Sequence, residues 1–306
     1  MPVHDALSRL IIDFDEANDV EGEVRAHGTM RLGAALEGPP GRLHGGYHAF
    51  ARTLPIVERV TAHEHARTFP CSVDVSMQQG LRLEEVIPFE ATYRSDGESW
   101  QLSTRFEGTD RLVAYAHSIP EGPLMDAAEL DRWRAFYAET SPEDDSFEMF
   151  GVPIHLSKKL VWIESRDPLR TLPESQHAAL VEPGGTLGAA FVSTQLDMVG
   201  ATARGAAKRH PHFTTHIEIQ FATGHISAQT HLLCLADRTR VEEDRRSEER
   251  LVEVKGELYG TARVPVVLVD AAFEQVFATG EVTIHPVDPK KFEALQRRMR
   301  QLRKRR

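Results

Sequence analysis

Apolar residues recur at every second position over residues 68–77, 86–94, 101–107 and 111–118, the period of strands with one face buried. The run before them, residues 49–60, suits a helix. Further along, residues 187–208 form an Ala/Gly-rich helical stretch, and strand-like runs follow at 213–222, 226–236, 250–261 and 275–285. The order is the same in both places, one helix and then a meander, so the chain reads as a duplicated unit. Between the copies, Pro120-Glu121-Gly122-Pro123 closes the first, and an acidic stretch runs on to Asp145. Within that stretch residues 126–140 look helical, with Leu130, Trp133 and Phe136 at three-residue spacing on one apolar stripe. These breaks divide the chain into 1–120, a first folded half; 121–155, a crossover linker with a helix; 156–289, a second half; and 290–306, a basic helical tail.

Composition adds bounds. The 306 residues, 41% of them hydrophobic, suffice for two ordinary cores. No stretch approaches the length of apolar residues that a membrane span needs, and the first residues lack a basic segment followed by an apolar one, so a cytoplasmic location without a membrane span is expected. Cys71 and Cys234 are too few for a disulfide framework and sit in strand-like runs, where reduced, buried thiols are expected. The net charge of −10 is unevenly placed: residues 290–306 hold nine Lys or Arg against Glu293, a tail of +8 on a body of −18. Phe292, Leu295, Met299 and Leu302 give that tail an apolar stripe, which favours docking on an acidic surface of its own chain or a partner over nucleic acid; the phosphates of coenzyme A are a further possible target. The charged segment 242–249 reads as a solvated hairpin tip without chemistry.

Candidate chemistry begins at His44-Gly45-Gly46, at the mouth of the first helix. Without Cβ atoms the two glycines let a ligand approach the backbone closely, and the unpaired N–H groups of a first helical turn favour an oxyanion or a thioester carbonyl. A metal is not expected: His63-Glu64-His65 lacks the helical spacing of a zinc-binding pair, and His210-Pro211-His212 is interrupted by proline. Dinucleotide, nucleotide-phosphate and serine-hydrolase glycine motifs are absent from the sequence.

With these residues in view, the chain resembles the hotdog superfamily of acyl-CoA thioesterases, and the two copies suggest a tandem, or double, hotdog: an α+β fold of two long central helices, each wrapped by a curved antiparallel sheet. The likeness to the phenylacetyl-CoA thioesterase type rests on His44-Gly45-Gly46, the Val73-Asp74-Val75 strand and Leu112-Val113-Ala114. It places Asp197 where that family has its catalytic carboxylate. In that family an acid follows the His by nine residues; here Thr53 stands nine after His44, and Gly188 nine before Asp197, so each half keeps what the other has lost. Nine residues make about two and a half helical turns, so one helix cannot aim its mouth and its acid at one site. The resemblance therefore implies a composite site, with Gly45 and Gly46 from one half and Asp197 from the other, His44 orienting the loop. A second likeness, to the acyl-CoA thioesterase II type, puts Thr214 at that family's water-orienting position, with Thr215 adjacent. The late Gln of that type has no counterpart; Glu281, Thr283 and Gln275 are what the last strand offers. Hydratase relatives carry a His five residues after the Asp, where this chain has Thr202.

The resemblance thus implies a thioester hydrolase acting on an acyl-CoA or acyl-carrier substrate, with no cofactor beyond the coenzyme A moiety of the substrate itself and with a homo-oligomeric assembly. The alternatives are a non-catalytic acyl-CoA or acyl-carrier binding module, and a scaffold acting through the basic tail.

Overall fold

A computed structural model of the chain describes residues 11–14, 23–31, 54–63, 66–77, 86–106, 113–141, 145–149, 152–168, 181–182, 185–208, 212–244, 251–254, 257–290, 292–294 and 297. In the first half the strands are β1 (Ile11–Phe14), β2 (Glu23–Arg31), β3 (Cys71–Ser76), β4 (Val86–Ser95), β5 (Trp100–Phe106) and β6 (Val113–Ser118), with helix α1 (Leu54–His63) ahead of β3. Helix α2 (Ala127–Ala138) crosses to the second half, which holds β7 (Asp145–Met149), β8 (Val152–Leu156), β9 (Leu160–Ser165), β10 (Val181–Glu182) and β11 (Thr186–Gly188). The long helix α3 (Ala189–Lys208) follows, then β12 (His212–Phe221), β13 (His225–Ser227), β14 (Leu232–Asp237), β15 (Glu242–Asp244), β16 (Val252–Val254), β17 (Glu257–Tyr259), β18 (Thr261–Asp270) and β19 (Val276–Pro286).

Most strands join one antiparallel sheet of 14, in the order β1-β2-β4-β5-β6-β3-β12-β19-β18-β14-β9-β8-β7, with β15 beside β18. The halves meet at β3 and β12, paired from His216↔Ser76 to Phe221↔Cys71. On the inner side of this seam Val73, Val75, Ile217 and Ile219 are fully buried, and one hydrophobic cluster runs without a break from Phe89 and Leu102 in the first half to Phe191 and Val264 in the second. Pairing the strands lets both halves bury their inner faces in a common core.

This corrects the expectation of a tandem hotdog with two long central helices, each wrapped by its own sheet. The chain is predominantly antiparallel sheet; α1 has 10 residues and, among the described residues, only α3, with 20, is long. Physical differences between the two segments account for the inequality. After α1 the chain turns extended toward Pro70, which disfavours helix in the residue before it; Ala66 N–H closes on Thr61 C=O, and the Thr61 and Thr68 hydroxyls bond at 2.6 Å. In α3 the small residues Ala189, Ala190, Ser193, Gly200 and Ala203 keep the cylinder thin enough to be enclosed, and every residue from Ala189 to Gly200 is buried.

The second half is covered on its outer face as well. Trp133 of α2 is 1% exposed and packs with Trp162, Leu233, Leu235, Val267 and Phe273, while Leu130 and Phe136 lie against the same cluster. Buried on both faces, β14 is apolar along most of its length, whereas β4 and β5 alternate strictly between buried and solvated residues. Sequence periodicity missed β18 because Pro265 interrupts an apolar run; in the sheet Pro265 sits opposite Glu281 of β19.

Candidate active site

Asp197 lies in the middle of α3, 3% exposed, among Leu196, Met198 and Val199. A buried carboxylate is costly unless hydrogen bonds compensate. The Thr214 hydroxyl donates to Asp197 Oδ1 at 2.5 Å, a charge-assisted bond at the short end of the O–H···O range. On the turns before it, the Ser193 and Thr194 hydroxyls both donate back to Ala190 C=O, at 3.3 and 2.7 Å, so their polar atoms are satisfied within the helix.

A bulge in β12 aims Thr214. The ladder with β19 pairs Thr214 with Ile284 and His216 with Thr283, leaving Thr215 as the extra residue. Ile217, Val282 and Ile284 all point into the core. Strict alternation back from Ile217 would turn Thr215 inward; the extra residue reverses the parity and gives the inner face to Thr214. Two contacts hold the bulge: Met77 N–H donates to Thr215 C=O at 2.7 Å, and the Thr215 hydroxyl reaches Thr283 C=O at 3.3 Å. Met77 follows β3, so the first half grips the strand that presents Thr214 to Asp197.

The same parity places His212, half-buried and opposite Pro286, on the inner face two residues from Thr214. Sequence reasoning weighed His212 only as a metal ligand; the bulge that gives it this neighbour has no signature in the sequence. Gln195 Oε1 and Thr202 Oγ1, also on α3, are buried with no hydrogen-bond partner among the described residues.

Other residues singled out from the sequence fall elsewhere. His44, Gly45, Gly46 and Thr53 lie outside the described residues, so the proposed glycine mouth has no geometry here. Gly188 ends β11 opposite His225, directly before α3. Glu281 is next to the inward Val282 and therefore faces the other side of the sheet, opposite Glu218; burial pushes its carboxyl pKa up, with Glu242 and Glu218 adding to the rise and Arg263 opposing it. Gln275 sits in the turn before β19, its N–H bonded to Asp270 Oδ1 at 2.6 Å. Of the three late candidates, Thr283 reaches the bulge beside Thr214, through its carbonyl. Asp74 is on the outer face too, 2.6 Å from His216 Nε2 across the seam, and that hydrogen bond holds the His216 pKa above its ordinary value. Cys71 and Cys234 are free and buried, and burial pushes both thiols well above the usual range, so neither is a nucleophile at neutral pH. Among the described residues no helix is long and apolar enough to cross a membrane.

No protein-family model matches the chain, and no curated protein matches it by sequence. Solved structures do resemble it. A presumed thioesterase from Novosphingobium aromaticivorans aligns over 89% of this chain and 97% of its own at 15% identity, TM-score 0.50. The dehydratase domain of the polyketide synthase PpsC from Mycobacterium tuberculosis covers 94% and 99% at 13% identity, TM-score 0.52. An N-terminal dehydratase from the difficidin assembly line covers 92% and 99% at 12% identity, TM-score 0.55. At such identities the likeness shows a shared fold and leaves the activity open.

Proposed function

We propose that the chain is an acyl thioester hydrolase in which Asp197 is the base. The observation that carries this reading is the buried Thr214–Asp197 hydrogen bond, in which a hydroxyl orients a carboxylate enclosed in the core. Asp197 accepts a proton from water as the water oxygen bonds to the thioester carbonyl carbon. Thr214, donating to the carboxylate, offers its oxygen lone pairs to the same water. The tetrahedral oxyanion is met by the N–H of Gly45, with Gly46 beside it, and His44 orients their loop. Collapse breaks the carbon–sulfur bond, and the proton taken up by Asp197 goes to the departing thiolate, so that one thioester and one water give one acid and one thiol. Coenzyme A or a carrier protein supplies that thiol.

A second reading, dehydration of a hydroxyacyl thioester, is favoured by the dehydratase neighbours and opposed by Thr202, where the hydratase pattern has His.

A panel of acyl-CoAs, from short aliphatic through aromatic to long-chain, tests both through thiol release and enoyl absorbance in the same cuvette. Thiol release by the native protein, abolished in Asp197→Asn, supports hydrolysis. Turnover unchanged in Asp197→Asn removes the carboxylate from the chemistry. Enoyl formation without thiol release transfers the site to the second reading. Gly45→Pro, which deletes one backbone donor, is expected to cost about 10²–10³ in rate; Gly188→Pro at the start of α3 serves as its control, with no loss of specific rate expected in the protein that folds.

A further inference from the structure

Asp197 and Gly200 are three residues apart on α3 and therefore share one side of the helix. Val282 and Ile284 are two apart on the inner face of β19, and Thr214 sits opposite Ile284. The Asp197–Thr214 bond and the place where Gly200 meets Val282 are thus neighbouring rungs of a single helix–sheet interface.

At the second rung there is no spare space. A Cβ built on Gly200 would lie 2.7 Å from Val282 Cβ, 2.8 Å from its Cγ2 and 3.1 Å from its Cγ1. The obstructing atom is a branched Cβ fixed to the backbone of a strand paired on both sides, so a rotamer change cannot clear it. Any side chain at 200 must therefore push the helix and the sheet apart. The first rung tolerates little movement: it is 2.5 Å long, and an O–H···O bond weakens as it opens beyond about 3.0 Å.

Resting on the proposed role of Asp197, we infer that Gly200 is a positioning residue: by letting α3 seat directly on Val282, it sets the distance at which Asp197 meets Thr214. Gly200 touches no reacting atom and acts through the carboxylate one turn before it.

The test is a rescue experiment on the full chain. Gly200→Ala is expected to lower kcat for the best acyl-CoA about 10²-fold with KM little changed, since misplacing a catalytic group by about 1 Å costs that much. Adding Val282→Gly, which removes the obstructing Cβ together with its methyls, is expected to restore most of the lost kcat. Leu102→Ala, in the core of the first half, provides a variant of comparable thermal destabilisation and is expected to keep the native kcat in its folded fraction. If Gly200→Ala does not fold, Val282→Ile crowds the same rung from the sheet side and is expected to lower kcat in the same direction by less.

A second readout does not depend on turnover. The coupling between Asp197→Asn and Thr214→Val, measured by chemical denaturation as a double-mutant cycle, is expected in the native background, lost with Gly200→Ala and recovered with Gly200→Ala/Val282→Gly. Native kcat and native coupling in Gly200→Ala, or a loss of both that Val282→Gly fails to reverse, overturns the inference. If the native protein turns over no thioester while the coupling follows the expected pattern, the hydrolase reading falls and the positioning of Asp197 by Gly200 stands.

Discussion

At the scale of single residues the decisive choice is between two adjacent threonines. The family likeness puts Thr214 at the water-orienting position with Thr215 beside it, and the bulge gives the inner face to Thr214. Thr214→Val keeps the volume and removes the donor to a buried carboxylate; hydrogen bonds to charged groups contribute about 1.5–3 kcal/mol, so a rate loss of roughly 10- to 100-fold is expected. Thr215→Val loses only a 3.3 Å bond to a carbonyl and is expected to stay within about threefold of native. Initial-rate kinetics on the two variants decide the matter; equal losses would show that β12 does not hold this parity in solution. Asp197 was legible from the sequence because a family pattern marks its position. Thr214 was named by the same kind of likeness, but that it faces inward was not legible, since a bulge shifts parity without changing composition.

Helix α2 illustrates what an element's own sequence supplies and what its docking adds. Asp126 caps it, its side chain accepting from Glu129 N–H at 2.7 Å, and loss of such a cap costs about 1 kcal/mol. Docking counts for more. Trp133 is enclosed by the outer face of the second half, and Arg132 spans Glu129 and the fully buried Asp237, at 3.1 and 2.7 Å. Trp133→Ala is therefore expected to cost about 3–5 kcal/mol, read as a fall in the denaturation midpoint, while Asp126→Ala costs about a third of that or less. The three-residue spacing of Leu130, Trp133 and Phe136 announced the buried stripe. The surface that receives it was hidden, because it is assembled from β9, β14 and β18.

The seam between β3 and β12 brings its own pH dependence. His216 has a raised pKa because Asp74 accepts from its ring, with burial opposing and Glu218 and Glu281 adding to the rise. A group whose folded-state pKa is raised contributes stability that is fully present below its unfolded value, near 6.5, and is lost as pH climbs through the higher folded value. Thermal stability is thus expected to decline on the alkaline side of 6.5, and Asp74→Asn to flatten that decline. A slope unaltered by Asp74→Asn would show that the pair does not couple to folding. The acid limb has a different origin. Burial raises the pKa of Asp237, but hydrogen bonds from Thr239 and Arg132 outweigh it and hold the group below its usual 3.8, so its contribution is present above that value and fades as pH falls below it.

For the whole molecule, the continuous sheet and shared core predict one unfolding transition in place of two. Separate halves would melt independently; here the inner faces of β3 and β12 contribute to one cluster, and exposing the seam would leave both an unpaired edge and apolar surface. Differential scanning calorimetry is expected to give a van't Hoff enthalpy close to the calorimetric one, despite the length of the chain. Leu102→Ala, a deletion in the first half's core, is expected to shift that entire transition downward by about 2–5 kcal/mol in stability. Two resolved transitions, with only one displaced by Leu102→Ala, would count against it.

By itself the sequence determined β3 to β6, β12 and β19, the long small-residue helix and the acid at its centre. Alternation records which side of a strand is buried, and a run of Ala, Ser and Gly records that a helix can be enclosed; both are local consequences of side-chain size and polarity. Tertiary structure decided which strands pair. The alternation of β3 and β12 would be identical if each were an edge, so nothing local separates one sheet of 14 strands from two sheets. It also decided that Thr214 faces Asp197 and that Gly200 meets Val282. Each of these depends on residues far apart in the chain approaching to within a hydrogen bond or a van der Waals contact, a distance fixed by packing across the sheet.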